Sequence, residues 1–251
     1  LNRLIAFLPC YNEEENIRPL ARAWEDEAPA LAAEGFALKL YAIDDKSTDG
    51  TLVILRALES ELSGFGVIAH ERNRGLGGAL DTAVSRFLAE AGPGDYMAFM
   101  DGDNTHRPVY LHQMLRKARV GAGCVIASRY RKGAEIKGLP RRRRLMSSAA
   151  RFFYGLVLHV PGVRDYTCGF RLYAYECLEK ARERYGGRLI TQRSFSCMME
   201  LLYKLYRSGC RFDESPFVLY YGDKKGASKM KALKTAWDSV VCALSLRTEH
   251  I

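Results

Sequence analysis

The residues best placed to do chemistry in this chain are Asp101 and Asp103, two carboxylates that end the apolar run Tyr96–Met100. Side chains two apart on a strand share a face, so at the strand's end these two can converge on one point beyond the sheet. A hard divalent cation takes oxygen ligands of this kind and shares them with phosphates. Asp, Gly and Asn are also ordinary turn formers, and Asp101-Gly102-Asp103-Asn104 alone fits a turn equally well. A second acidic pair, Asp44-Asp45, closes the run Leu38–Ile43. Acids at a strand's carboxyl end lie where open α/β sheets bind ligands, and a carboxylate there can accept a hydrogen bond from a nucleobase N–H. Glu200 stands on an otherwise apolar helical face, Ser196–Leu205, where a buried carboxylate needs a partner. An ion pair of structural purpose would satisfy it as well as a functional role.

The elements that must position these acids follow from periodicity. Leu4–Leu8 reads as a buried strand, and Ile17, Leu20, Ala21 and Trp24 recur at helical spacing. Between them Asn12 and Glu15 have capping-box spacing. A helix from Thr51 follows the second acidic turn, in which Asp49 reads as a turn or cap residue. Gly66–Ala69 is a third strand, leading to Gly75-Leu76-Gly77-Gly78 before a helix from Ala79 to Leu88. Leu80 stands where a dinucleotide fingerprint needs its last glycine, so these glycines instead suit close approach of backbone N–H groups to phosphate or ribose. Pro108 starts the next helix, as an N1 proline does, and Val125–Ala127 is a fifth strand. This alternation predicts an α/β fold with a single Rossmann-like, doubly wound, mostly parallel sheet. The basic segment from Arg131 to Arg144 reads as a polar loop and Leu145–His159 as a helix. Further helices are expected from Tyr175 and from Ser196, with a strand at Phe217–Tyr221. In the last segment, Met230–Leu246, one helical face carries Leu233, Ala236, Trp237, Val240, Val241 and Leu244. That helix suits a membrane surface or a cover for the sheet.

Composition narrows the partners. The 251 residues are 48% hydrophobic, enough for a full core, and carry a net charge of +9, which favours anionic ligands. The seven cysteines show no CxxC spacing and read as buried small hydrophobes of a reducing cytosol. The histidines lack metal-ligand spacing, and no apolar run of about 18 residues is present. The chain opens at Leu1 rather than Met, which leaves room for a terminal membrane segment outside it.

Seven motifs stand in order: Pro9-x-Tyr11-Asn12-Glu13-Glu14-Glu15-Asn16, Asp44-Asp45-x-Ser47-x-Asp49-Gly50-Thr51, Arg74-Gly75-x-Gly77, Asp101-x-Asp103, Ser128-Arg129-Tyr130, Gly169-Phe170-Arg171 and Gly226-x-Ser228-Lys229. Together they resemble the family-two inverting glycosyltransferases of GT-A fold, above all the dolichyl-phosphate mannose synthases and polyprenyl-phosphate sugar transferases. The resemblance implies one catalytic domain over 1–251. Residues 1–130 would form the nucleotide-sugar half, 131–230 the acceptor-side half and 231–251 an amphipathic helix. It implies that Pro9, Tyr11, Glu13, Asp44 and Asp45 line the donor nucleotide pocket and that Lys224 and Lys229 close on the donor diphosphate. Asp101 and Asp103, with Thr105 as a third position, would hold Mg²⁺ or Mn²⁺. Asp103, Arg129 and Arg143 would be catalytic, and Arg129, Arg143 and Ser147 would grip an acceptor phosphate.

Three positions depart from the family pattern. Thr105 stands where a glutamine ligand is common, and Lys224 replaces an arginine, exchanging a bidentate fork for a point charge. Ser148-Ala149-Ala150-Arg151 replaces Arg-Gly-Ala-Asn. The expected reaction moves a hexose from a nucleotide-sugar, GDP-mannose first and UDP-glucose next, to a polyprenyl phosphate. The expected location is the cytoplasmic face of a membrane, held peripherally, with no nucleic acid partner. A small hydroxylated acceptor is an alternative. So is RNA binding through Arg141–Arg144, although the acidic turns would repel a phosphate backbone.

Overall fold

Apolar runs that end in acids become the strands of one sheet in the computed structural model, which describes residues 1–138, 141–223 and 232–248. The first half comprises β1 (Asn2–Cys10), α1 (Ile17–Ala33), β2 (Phe36–Asp44), α2 (Thr51–Glu61), β3 (Phe65–Ala69), α3 (Gly75–Glu90), β4 (Tyr96–Phe99), α4 (Leu111–Arg119) and β5 (Cys124–Ser128). The second half adds β6 (Glu135–Lys137), α5 (Arg141–Leu158), β7 (Arg171–Ala174), α6 (Tyr175–Tyr185), α7 (Ser196–Arg207), β8 (Phe212–Pro216), β9 (Val218–Tyr220) and α8 (Ala232–Thr248). The main sheet runs β3-β2-β1-β4-β7-β5-β8 and is parallel except for β7, which is antiparallel to both neighbours. Leu4–Leu8 in β1 are buried on both faces, as a central strand covered by helices on each side requires. β7 comes from the second half of the chain and lies between two strands of the first, so both halves share one core.

Register sets the functional edge. Cys10 pairs with Asp44 across β1 and β2, and Phe7 with Phe99 across β1 and β4. The ends of β1 and β2 are therefore level while β4 stops opposite Phe7, and the acidic turns after β2 and β4 leave from the same edge. The turn after β4 lies against β1: a Cβ at Gly102 would fall 2.6 Å from the Pro9 carbonyl oxygen.

Several expectations change. Asn16, not Asn12, is the residue before α1, and no side chain caps that helix. Asn12 instead adopts φ +56°, accepts a bond from Thr48 N through Oδ1 (2.7 Å), and donates its own N–H to Ser47 Oγ. Glu14 accepts from Gly50 N, so these residues tie the first acidic turn to the second. Asp49 accepts from Thr51 N and Oγ1 in the turn before α2, whose N-cap is Gly50 without a side-chain cap. The Gly75–Gly78 cluster is the first turn of α3 rather than a loop before it. A short strand and the start of α5 occupy much of the basic segment read as a loop, with β6 parallel to β9. Arginine's unbranched stem favours helix, which carries α5 back to Arg141. β8 went unread because Asp213, Glu214 and Pro216 disguise an edge strand.

In α8 the buried described side chains are Cys242, Ala243 and Leu246, whereas Val241 and Leu244 are exposed, so the inward face is rotated from the expected one. The helix is oriented by packing on α5 and α7. Cys177 and Cys210 form a disulfide between α6 and the turn before β8, which corrects the expectation of seven reduced thiols. The free cysteines are buried, and burial pushes the Cys124 thiol up to about 12 and those of Cys168 and Cys197 up as well.

Candidate active site

Successive residues at a strand's end point to opposite sides, and this separates the two adjacent aspartates. Asp45 accepts His70 Nδ1 and Arg74 N on Oδ1 (both 2.7 Å) and Gly75 N on Oδ2 (2.8 Å), so its carboxylate fixes the β3–α3 turn. Asp44 is 1% exposed. Its Oδ2 accepts Ser47 N, while Oδ1 has no hydrogen-bond partner among the described residues. A buried acceptor left open is costly unless something completes it. It is the expected state of a group that receives an N–H from a ligand. On the neighbouring strand β1 and the turn after it, Pro9 is half-buried, Tyr11 is 38% exposed, and Glu13 is buried with Oε2 accepting Asn16 Nδ2.

Asp101 and Asp103 follow β4 on the same edge and are half-buried. Asp101 lies against the backbone of Gly169, where a Cβ would fall 2.5 Å from its Oδ2. That glycine is a cradle for the carboxylate, a role its place in Gly169-Phe170-Arg171 did not disclose. Asp103 Oδ1 accepts from Thr105 N (3.2 Å) and Thr105 Oγ1 (2.7 Å). Thr105, 4% exposed, also reaches His106 Nδ1 at 3.1 Å. The structure thus places Thr105 as a support for Asp103. His106, which the sequence did not single out, stacks on Phe217 with centroids 5.1 Å apart. Burial lowers its pKa to about 4 against the opposing charge of Asp103, so the ring is neutral at pH 7. Two cradled carboxylates present oxygen only, which fits a hard cation. Among the described residues no three His, Cys, Asp or Glu side chains group as a complete metal site.

The residues expected on the acceptor side form a second group. Arg129 at the end of β5 donates from Nε (2.8 Å) and Nη2 (2.6 Å) to Asp165, and from Nη2 to Thr167 Oγ1. Burial works against the guanidinium charge, but Asp165 outweighs it and holds Arg129 protonated. Asp165 is fully buried and also accepts Arg129 N and Cys168 N. Behind it, buried Glu214 accepts Arg164 N and Asp165 N and pairs with Arg131 at 2.7 Å. Neither Asp165 nor Glu214 was singled out from the sequence. Their signal was an acid inside a polar turn and an acid inside a disguised strand. Tyr130 bonds Ser147 Oγ at 2.6 Å, with Arg151 4.8 Å above its ring, so Arg129, Ser147 and Arg151 meet around one tyrosine. Arg143 lies in the first turn of α5, its side chain outside the described residues, as are Lys224 and Lys229. Glu200 is buried on α7 and paired with Lys204 at 2.7 Å.

A mostly parallel sheet with acids along its carboxyl edge and helices on both faces is the architecture of a GT-A glycosyltransferase. Residues 6–182 match the family described as Glycosyl transferase family 2, and the chain belongs to that family. It is 26% identical over 233 residues to the polyprenol monophosphomannose synthase of Mycolicibacterium smegmatis, covering 91% of this chain and 81% of that one. It is 28% identical over 231 residues to the dolichol-phosphate mannosyltransferase of Pyrococcus furiosus, covering 91% of this chain but 59% of the relative. The fold matches that of glucosyl-3-phosphoglycerate synthase from Mycobacterium tuberculosis, solved with Mn²⁺, UDP and glucosyl-3-phosphoglycerate. There the TM-score is 0.69 at 18% identity, over 98% of this chain and 80% of that one.

Proposed function

We propose that this glycosyltransferase moves a hexose, with inversion, from a nucleotide-sugar to a polyprenyl phosphate, with GDP-mannose the favoured donor and UDP-glucose next. The observation that carries the donor reading is the open, buried Oδ1 of Asp44, at the same sheet edge as Asp101 and Asp103. Asp44 would take a base N–H, with Pro9, Tyr11 and Glu13 lining the base and ribose. Asp101 and Asp103 would hold Mg²⁺ or Mn²⁺, and that cation would supply positive charge beside the donor diphosphate. Diphosphate oxygens and water would complete its ligands. Lys224 and Lys229 would add charge from the donor side.

An acceptor phosphate is already ionised at neutral pH. Its oxygen forms the new bond to the anomeric carbon as the bond to the nucleoside diphosphate breaks, and no strong general base is required. Orientation then supplies most of the acceleration. Asp165 holds Arg129 by Nε and Nη2, so the guanidinium is fixed before the acceptor arrives, with its Nη1 edge the one to meet the phosphate. Ser147 and Arg143 would complete that grip.

A lipid acceptor gains support from the surface of α5. Phe152 and Leu156, one turn apart, are 75% and 69% exposed, and the neighbouring α8 exposes Val241 and Leu244. An apolar stripe flanked by arginines suits a headgroup boundary. Among the described residues no helix is long and apolar enough to cross a membrane. The names of the two mannosyl relatives point the same way.

The donor reading is tested by thermal shift with GDP-mannose, UDP-glucose and UDP-N-acetylglucosamine, each with Mn²⁺. Stabilisation by one of them is expected, and no response to any removes the reading. Phe152→Glu with Leu156→Glu is expected to lower affinity for vesicles containing anionic lipid about tenfold or more while leaving nucleotide binding unchanged. Co-sedimentation equal to that of the wild type would instead favour a small soluble acceptor.

A further inference from the structure

Glu200 is used by none of the steps above, yet it is among the most heavily bonded acids in the molecule. Its Oε2 accepts Thr191 N and Gln192 N, both at 2.9 Å. Oε1 accepts Thr191 Oγ1 at 2.5 Å and Lys204 Nζ at 2.7 Å. Lys204 also donates to the Arg188 carbonyl, so α7 holds residues 188–192 at both ends. With 2% exposure and both oxygens doubly engaged, Glu200 has no approach for a substrate proton.

The segment it holds is pressed against the start of α3. A Cβ at Gly77 would fall 1.7 Å from the Gln192 carbonyl oxygen, and one at Gly75 2.5 Å from that of Arg193. Gly77 N donates to Arg193 O at 3.1 Å, and Arg193 Nη2 donates to Asn73 O at 3.0 Å. Asn73 Nδ2 in turn bonds the Asp45 carbonyl, while Arg74 N and Gly75 N bond its carboxylate. The path therefore runs without a break from α7 to the residue beside Asp44. Along it lies a cavity of about 390 Å³ whose lining includes Arg72, Arg74, Gly78, Gln192 and Arg193. The glycines of α3 admit a peptide chain rather than a phosphate, and that chain is the one Glu200 fixes.

We infer that Glu200 is a positioning residue for the nucleoside side of the donor pocket: it sets the 190–193 wall, and through the β3–α3 turn and Asp45 it sets Asp44. This rests on the donor reading above. Packed hydrogen-bonded chains of this kind transmit a displacement because each member has one good arrangement. Removing the charge of Glu200 loosens the wall, and the loss falls on nucleotide affinity rather than on the chemical step.

The test is calorimetric titration of GDP and of UDP, each with Mn²⁺, into wild type, Glu200→Gln and Gly77→Ala. Turnover is then measured with whichever donor the wild type uses. Both variants are expected to raise the nucleotide Kd about tenfold with kcat within about threefold of wild type. Gly77→Ala displaces the same segment from the opposite side with Glu200 intact, and it carries the test alone if Glu200→Gln does not fold. An unchanged Kd, with or without a lower Tm, overturns the assignment. So does a kcat loss of a hundredfold or more at unchanged Kd, the mark of a proton-transfer group. A wild type that binds neither nucleotide removes the donor reading and this assignment together, whereas binding by wild type with no change in the variants removes this assignment alone.

Discussion

Asp103→Asn is expected to cut hexose transfer by about a hundred- to a thousandfold or more while leaving the fold in place. The asparagine carbonyl can still accept from Thr105 N and Oγ1, so the turn after β4 keeps its local bonds. What is lost is the negative charge, and the amide presents an N–H₂ where a cation would need an oxygen. Steady-state transfer with a labelled sugar-nucleotide measures the loss, and circular dichroism melting checks the fold. A melting point within a few degrees of wild type with activity gone is the expected pair of results. Turnover retained near the wild-type rate would remove Asp103 from the catalytic assignment.

Asp165→Asn should produce the largest loss of stability. The carboxylate is completely buried and neutralises Arg129 through two bonds of 2.8 and 2.6 Å. Removing one partner of a buried pair leaves the other charge uncompensated, at a cost of about 3–5 kcal/mol. For a chain of this size that is a fall in Tm on the order of 10 °C. The pH dependence carries a sign. Burial alone would raise the Asp165 pKa, but Arg129 and the bonds it makes overcome that and bring it below the ordinary 3.8. A group whose folded pKa is depressed contributes stability above its unfolded pKa and loses it as pH falls through the folded value. The gap in Tm between wild type and variant should therefore be full near neutrality and begin to close only below about pH 4. A gap that widened in acid, or no gap at pH 7, would contradict the pairing.

Much of this was written in the chain, and the unread portion has physical causes. β1, β2 and β4 were legible because each is an apolar run, cut off by acids in β2 and β4 and by Pro9-Cys10-Tyr11 in β1, and the edge they form follows once strands alternate with helices. The acids after β2 and β4 were visible as types and positions, but Asp44 and Asp45 are spelled alike. Only the alternation of side chains at the end of β2, together with the donors offered by the β3–α3 turn, gives one an open oxygen and the other three bonds. Thr105 fell at a ligand position by alignment of motifs, whereas its burial beside His106 makes its hydroxyl a brace. Glu200 was visible as an anomaly on an apolar face, but its partners on residues 191 and 192 are brought in by a turn that no periodicity encodes. The Cys177–Cys210 bond joins positions 33 apart in sequence, a pairing set by how α6 and α7 pack.

The strand β7 has a consequence for how this enzyme can change over evolution. Because it lies between β4 and β5, the segment before Tyr130 has no continuous set of pairings of its own: β4 and β5 never touch. A chimera joining that segment to a foreign second portion inherits two bare strand edges unless the graft brings an antiparallel strand of matching register. The two halves are thus joined through β7 and do not exchange as independent modules.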